Sequence, residues 1–463
     1  MTSALSKSPL AVSLERQVRD RARETAIHSS SERRTITFAQ MGDRVRAWAA
    51  ALRRAGVTEG QTVSIGLGNV PSFPEIFFAL RLLVAAALLV DDSSPGVSAK
   101  MGASWIVHRG AEGSALDGAP DPEVRLTPVR PERSVPAGTA LIKLTSGSTL
   151  APRGACFTED ALVEGIDHIL RGMEISGDDR VLISIPLSHG YGFDNGVLSL
   201  AAAGTPLFLQ SDVLPGALLR ALREQEITFF PAVPALIRAL GQVAWPSPLA
   251  LKRVISASAP LSREAAEAFT RASGLPVCQF FGSTETGGIS FESRPGDPEA
   301  EGCVGTPLPG VRIELGEDGT VRVHSKANRF AVLPEQATPE HVETGDRASW
   351  TAEGRLRLEG RATLVANVGG LKVDLGALDA FFRGLPGVDD AAAVPVDDPA
   401  RGHRVVAYIE TAAYTEASLL EICRERLSAR EVPSEIRVLG RLPRNARGKL
   451  DRSALGSLSR GGC

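Results

Sequence analysis

Between Lys143 and Thr158 the sequence KLTSGSTLAPRGACFT gathers two glycines, two serines and three threonines around a Pro-Arg-Gly turn, directly after the apolar ALI. Hydroxyls and bare backbone amides at this density could surround phosphate oxygens with donors, because glycine lets the backbone approach an anion with no Cβ in the way. Arg153 would add a charged donor. The spacing is not that of a Walker A loop, G-x-x-x-x-G-K-[ST]: Gly147 and Gly154 are seven apart and the basic residue precedes the second glycine. On this stretch alone an ordinary surface turn is the alternative.

Four more stretches carry groups suited to handling a phosphorylated ligand: FFGSTETGG (280–288), ETGDRASW (343–350), LEGRATLVANVGGLKVD (358–374) and LPRNARGKLDR (442–452). Taken singly, each has a plain structural reading. Asp346 in TGD suits a turn, Glu285 suits a helix end, and a lone Lys449 suits a solvated surface. Only joint occurrence gives them weight.

These groups need a scaffold, and 463 residues exceed what one hydrophobic core usually organises, so two or three domains or subdomains are expected. With 51 basic against 54 acidic residues, net −3, the chain has no field suited to nucleic acid or an anionic membrane. The five cysteines are odd in number, scattered, and never C-x-x-C, which predicts reduced thiols and a cytoplasmic location, without a zinc site or disulfide framework. The opening MTSALSKSPLAVSLERQ has no apolar segment of signal-peptide length, and the greasiest run, IFFALRLLVAAALLV (76–90), contains Arg81. It is too short to span a bilayer and predicts a buried helix running into a buried strand.

Along the chain, α and β signals alternate. RVLISIPLS and TPLFLQ predict buried strands, while PGALLRALREQ and SREAAEAFTRAS have helical spacing behind N-cap candidates. Such alternation predicts an α/β fold of mainly parallel sheets flanked by helices. From about residue 300 to 360 the text turns polar and Gly/Pro-rich, with short segments VRIEL, TVRVHS and LRLEG that predict a small β-rich subdomain. After Gly360-Arg361 the pattern restarts with GLKVD, LGALDAFFRGL, DDAAAVPV, HRVVAYIE and TEASLLEICRERLS, which predicts a separate α+β domain. The expected division is a core over 1–360 and a C-terminal domain over 361–463.

In order and interval, these five motifs resemble the signatures of the adenylate-forming (AMP-binding) superfamily of acyl-CoA synthetases, peptide-synthetase adenylation domains and luciferases. The resemblance covers nearly the whole chain: ISASAPLSREA is similar to its nucleotide-base segment and GCVGTPLPGVRI to the entry of its β subdomain. It implies activation of a carboxylic acid with ATP as an acyl adenylate, with release of pyrophosphate, then transfer to the pantetheine thiol of coenzyme A or a carrier protein. Cations and oriented donors should dominate such a site, because two anions meet and a third departs.

The implied roles follow the motifs. Thr145, Ser146, Gly147, Ser148, Thr149 and Arg153 would hold the β- and γ-phosphates. Ser258, Ala259, Pro260, Gly282 and Ser283 would border the nucleotide, Thr284 would contact the α-phosphate, and Glu285 would ligand Mg²⁺. Asp346 would accept both ribose hydroxyls and Arg361 would support the ribose from the hinge side. Lys449 would bridge the carboxylate and the α-phosphate during adenylation, then withdraw as a mobile C-terminal domain alternates. Gly369 and Gly370 would give the pantetheine arm a wall without side chains, with a plain β-turn as the alternative.

The sequence departs from the superfamily pattern at Leu150, where Gly is usual, at Arg153 for Lys, at Phe281 for Tyr, and at Thr363 for Asp or Lys at the hinge. PLSHGYGFDNG (186–196) is similar to the acyl- and aryl-CoA ligase segment that closes one side of the acid pocket. It implies His189, Tyr191 and Phe193 as lining, with Val233, Phe281 and Gly287 completing an apolar wall for an aliphatic or aromatic acid. Phe193-Asp194 is also close to the F-D segment with which peptide-synthetase domains hold an amino group, so an amino acid is the second choice. With no carrier segment after Lys449, the acceptor would be used in trans. An amine acceptor, β-lactone formation and a nucleotide sensor without turnover stay open, whereas a dehydrogenase is disfavoured because Pro71 stands where SIGLGNVP needs its third glycine.

Overall fold

The computed structural model describes residues 8–91, 95–145, 153–293, 302–334, 340–361, 364–368, 371–398, 402–427, 431–445 and 448–460. Ser146 to Thr149, Leu150, Thr363, Gly369 and Gly370 lie outside the described residues. The chain divides into two compact units, 1–314 with 322–342, and 315–321 with 343–463.

The first unit is built on two sheets whose centres are parallel and whose edges are antiparallel. In one, the strands Val277–Ser283, Arg253–Ser256, Phe229–Ala232, Val181–Ile183, Leu207–Leu209 and Thr25–Ser29 lie side by side in parallel, and Gly287–Glu292 adds on antiparallel. In the other, Leu141–Thr145, Ala86–Leu89, Thr62–Gly66 and Trp105–Arg109 are parallel neighbours, flanked by the antiparallel Arg153–Phe157 and Ala331–Leu333. The central strands are short apolar runs buried on both faces, as parallel strands covered by helices must be. The α/β class read from the alternation is the class found.

Local chemistry sets the helix limits. Ser262 accepts from the Ala265 amide to start Arg263–Ser273, which Gly274 ends at φ +74°. The run at 76–90 becomes the buried helix Ser72–Leu83 followed by the strand Ala86–Leu89, and Arg81 is buried with Glu159 3.5 Å away.

Helix Phe38–Arg54 packs on that helix through a buried network. The Arg44 guanidinium donates to both Glu75 oxygens at 2.5 and 3.0 Å, and Trp48 Nε1 donates at 2.8 Å. Burial pushes the Glu75 carboxyl up, against the pull of Arg44. Arg44→Ala is expected to cost about 3–5 kcal/mol, because it strands a buried carboxylate. Denaturant unfolding checks this, and an unchanged midpoint would make the pair incidental.

The second unit contains a mainly antiparallel sheet in which Val388–Asp398 pairs with Gly402–Thr411 along most of their length, and Glu435–Leu439 adds in parallel. Helices Leu375–Arg383 and Glu416–Arg426 belong to the same unit, the first capped by Asp374 and the second by a Thr415 capping box. Among the described residues no helix is long and apolar enough to cross a membrane.

Candidate active site

Parallel sheets leave ligand space beyond the carboxyl ends of their strands. Here the ends of Phe229–Ala232, Arg253–Ser256 and Val277–Ser283 come together in register, Ala232 beside Ser256 and Ser256 beside Gln279. Tyr191 ties two of them, its hydroxyl donating to the carbonyls of Ala232 at 3.2 Å and Ile255 at 3.4 Å. Burial raises the Tyr191 phenol well above its ordinary value, so it stays a donor. Val233 follows the first strand as a helix N-cap. Ser258, Ala259 and Pro260 follow the second, all exposed, with Ser258 at φ +75°, a strained backbone for a residue with a Cβ.

The third strand turns back as a hairpin, Phe281 opposite Ser290 and Ser283 opposite Gly287. A Cβ on Gly282 would stand 2.5 Å from the Gly287 carbonyl oxygen, and Gly287 itself has φ +70°, so both positions require glycine for the turn to close. Thr284 and Glu285 occupy the tip, half-buried, and the Ser283 hydroxyl accepts from the Glu285 amide at 3.2 Å. The backbone therefore aims these two side chains, while local bonds fix the turn.

Cations gather there. Arg329 donates its backbone N–H to the Glu285 carbonyl at 2.8 Å. Burial and the charge of Arg153 pull the Arg329 pKa down, with Glu285 opposing them. Thr145 and Arg153 face each other as the end of one strand and the start of the next. One carboxylate among guanidinium groups suits a Mg²⁺ ion carried on nucleotide phosphates, and among the described residues no group of three His, Cys, Asp or Glu offers an all-protein metal site. Sequence reading missed Arg329, which sits in no recognisable motif.

The segment 186–196 forms the other side. His189 caps a short helix, with Nε2 3.3 Å from Asp91 Oδ1, and Ser188 donates to the same oxygen at 2.5 Å. Phe193 is fully buried, edge-on to Phe77 at 4.8 Å and 89°, and opens a π-helix, Phe193–Leu198. Asp194 follows it, with both carboxylate oxygens taken by the Lys143 ammonium at 2.7 and 2.8 Å. Lys143, a lone charge in the apolar strand ALIKLT, is the second residue that sequence reading passed over, although its isolation was the visible signal. Phe281 is buried, and the ring of Phe280 lies 5.8 Å from that of Tyr191.

In the second unit, Asp346 is buried in the strand Val342–Trp350, its backbone opposite Arg361, and Thr344 Oγ1 accepts from its amide at 3.1 Å. Lys449 is exposed on a tight turn. Arg444 and Leu450 bridge, Asn445 and Lys449 exchange hydrogen bonds, and Gly448 takes φ +71°. Arg444 anchors this turn, donating to the Gly448 carbonyl at 3.2 Å and to Asp390 at 2.5 Å.

Comparison with known proteins shows what the chain is similar to. A family model for AMP-binding enzymes matches residues 14–101 and 97–327, and one for the AMP-binding enzyme C-terminal domain matches 378–449. A sulfoacetate–CoA ligase of Cupriavidus necator is 28% identical over 366 residues, covering 74% of this chain and 71% of that protein. A feruloyl-CoA synthase of an Amycolatopsis species is 26% identical over 456 residues, covering 90% and 92%. Among solved structures, o-succinylbenzoate CoA synthetase of Bacillus subtilis with its acyl-adenylate intermediate superposes with a TM-score of 0.82 at 22% identity, covering 96% and 97% of the two chains.

Proposed function

Given that this chain belongs to the AMP-binding enzyme family, we propose that it is an acid–CoA ligase. It joins a small carboxylic acid to ATP as an acyl adenylate, releases pyrophosphate, and passes the acyl group to the thiol of coenzyme A. The observation that carries this reading is the hairpin tip, where Thr284 and Glu285 occupy the turn and the Arg329 amide donates to the Glu285 carbonyl.

Each residue then has a task set by its chemistry. A carboxylate oxygen is a poor leaving group, and bonding it to the α-phosphate makes it part of a far better one, AMP. Arg153 and Arg329 offset negative charge as the carboxylate attacks and as pyrophosphate leaves, with Thr145 and the hydroxyls of 146–149 supplying neutral donors. Mg²⁺ held by Glu285 would screen the phosphates. Thr284 donates to an α-phosphate oxygen, and the backbone at 258–260 with Gly282 and Ser283 borders the base. His189, Tyr191, Val233 and Phe281 shape the acid side, with Phe193 packed behind them.

The second unit supplies Asp346 for the ribose hydroxyls, Arg361 for the ribose at the hinge, and Lys449 to cancel charge between carboxylate and α-phosphate. Reorientation about the hinge, placed near residue 360, would withdraw Lys449 and let the pantetheine arm enter along Gly369 and Gly370. Asp346→Ala is expected to weaken ATP binding about tenfold, from the loss of bonds to both hydroxyls, as measured by calorimetry. Unchanged affinity would remove Asp346 from the ribose site.

Pyrophosphate release with ATP and Mg²⁺ across aliphatic, aryl, hydroxy and amino acids, with and without coenzyme A, tests the proposal. Release with one acid, accelerated by coenzyme A, supports it. Release that only a phosphopantetheinylated carrier or an amine accelerates would replace the acceptor. Silence across the panel with ATP still bound would contradict turnover altogether.

A further inference from the structure

The turn that presents Lys449 is held at both ends by an arginine. Arg444, before the lysine, donates to Asp390 Oδ2 at 2.5 Å, and Arg452, after it, donates to Asp379 Oδ2 and, at 2.5 Å, to the Ala393 carbonyl. Arg383 joins the two carboxylates, its Nε donating to Asp390 Oδ1 at 2.9 Å and its Nη2 lying 3.6 Å from Asp379. Charges of alternating sign therefore run in one chain through Arg444, Asp390, Arg383, Asp379 and Arg452. The side chains of Asp379 and Asp390 are 2% and 14% exposed, and the Ala393 and Ala391 amides donate to them at 2.6 and 2.8 Å, which fixes both carboxylates on the strand Val388–Asp398. Burial pushes the Asp379 carboxyl up, with Arg452 and Arg383 opposing it; burial would raise Asp390 too, but Arg383 and Arg444 hold it below its ordinary value.

This chain is not needed to seat the turn. Leu442 and Leu455, on either side of it, are buried in an apolar cluster with Val394, Val406 and Tyr408, and the Leu442 amide donates to Glu410 at 2.9 Å. Buried ion pairs can often be replaced by apolar residues without loss of stability, so what such a chain adds is a single geometry. Apolar contact is non-directional, whereas guanidinium bonds to a carboxylate fix orientation. We propose that the Arg444–Asp390–Arg383–Asp379–Arg452 chain is a clamp that orients the turn, making Arg444 and Arg452 positioning residues for the Lys449 ammonium in acyl-adenylate formation. This rests on reading Lys449 as the group that cancels charge between carboxylate and α-phosphate. A lysine carries its charge on a flexible four-carbon stem, so the places its ammonium can reach depend on where the turn sets its Cα. A displacement of about 1 Å at a reacting centre can cost about a hundredfold in rate. The bonds between Asn445 and Lys449 and between Gly448 and Asn445 shape the turn from within, and the two arginines tie that shape to the sheet.

Arg444→Ala and Arg444→Met, the second keeping an apolar stem, test this. Asp390 keeps Arg383 and Leu442 keeps its seat, so both variants are expected to fold, as thermal unfolding checks. Amide hydrogen exchange needs no substrate, and across 442–452 it is expected to be about tenfold faster than in wild type, with the helix Leu375–Arg383 unchanged. Unaltered exchange would overturn the clamp. Single-turnover pyrophosphate release is then followed with whichever of benzoate, 4-hydroxybenzoate, hexanoate and 3-hydroxybutyrate is fastest in wild type. It is expected to slow about tenfold at saturating ATP, with ATP affinity within about twofold of wild type. The same substitution made in Lys449→Ala should slow release by less than about twofold, because its effect passes through the lysine. A loss of equal size in both backgrounds would overturn the positioning role while leaving Lys449 in the reaction. Wild-type release by Lys449→Ala would instead refute the adenylation role of the lysine, and this proposal with it.

Discussion

Lys449→Ala is expected to slow acid-dependent pyrophosphate release by about a thousandfold while changing ATP affinity by less than about twofold. The ammonium is assigned to the charge that forms as carboxylate oxygen meets α-phosphate, and a donor of that kind acts in the transition state far more than in the ground state. The lysine stands exposed on a turn held by the Arg444–Leu450 bridge, by backbone bonds of Lys449 to Asn445 and by the Arg444–Asp390 pair. Removing the ammonium should therefore leave the turn in place. Single-turnover pyrophosphate release paired with ATP-binding calorimetry separates the effects, and a variant that releases pyrophosphate at the wild-type rate would take Lys449 out of the reaction.

The second large effect is expected at Glu285. Glu285→Gln keeps shape and hydrogen bonding but removes the charge that would hold Mg²⁺, so pyrophosphate release should fall about a hundredfold and need more Mg²⁺ for half-maximal rate. The hairpin should survive, because its bonds at Glu285 are made by the backbone to Ser283 Oγ and Arg329. A Mg²⁺ titration of both proteins decides it, and identical curves would place the metal elsewhere.

The scaffold was largely legible because its signals are local or periodic. Ser262 marked a helix start, and the apolar run at 76–90 could only be buried. Thr284, Glu285 and Lys449 could be named as candidates because each lies in a short contiguous motif, whereas the hairpin that carries the first two was not predicted, Glu285 being as compatible with a helix end. What escaped was assembled across the chain. Arg329 meets the Glu285 carbonyl from a segment with no motif, and Lys143 meets Asp194 over fifty-one positions, a separation that no window on the sequence spans. The π-helix at Phe193–Leu198 was equally hidden, because FDNGVL has no periodicity that sets a π turn apart from an α turn. Asp194 was visible, but as a partner for a substrate amine; its neighbour turned out to be a lysine of the chain itself.

The most direct test of the acyl-adenylate step follows one oxygen atom. An acid accepted by the enzyme, labelled with ¹⁸O in its carboxylate, is turned over with ATP and coenzyme A, and the nucleotide product is weighed by mass spectrometry. Attack of the carboxylate on the α-phosphate, followed by departure of AMP from the acyl carbon, places one labelled oxygen in AMP. Unlabelled AMP, or label found instead in inorganic phosphate, would contradict the account.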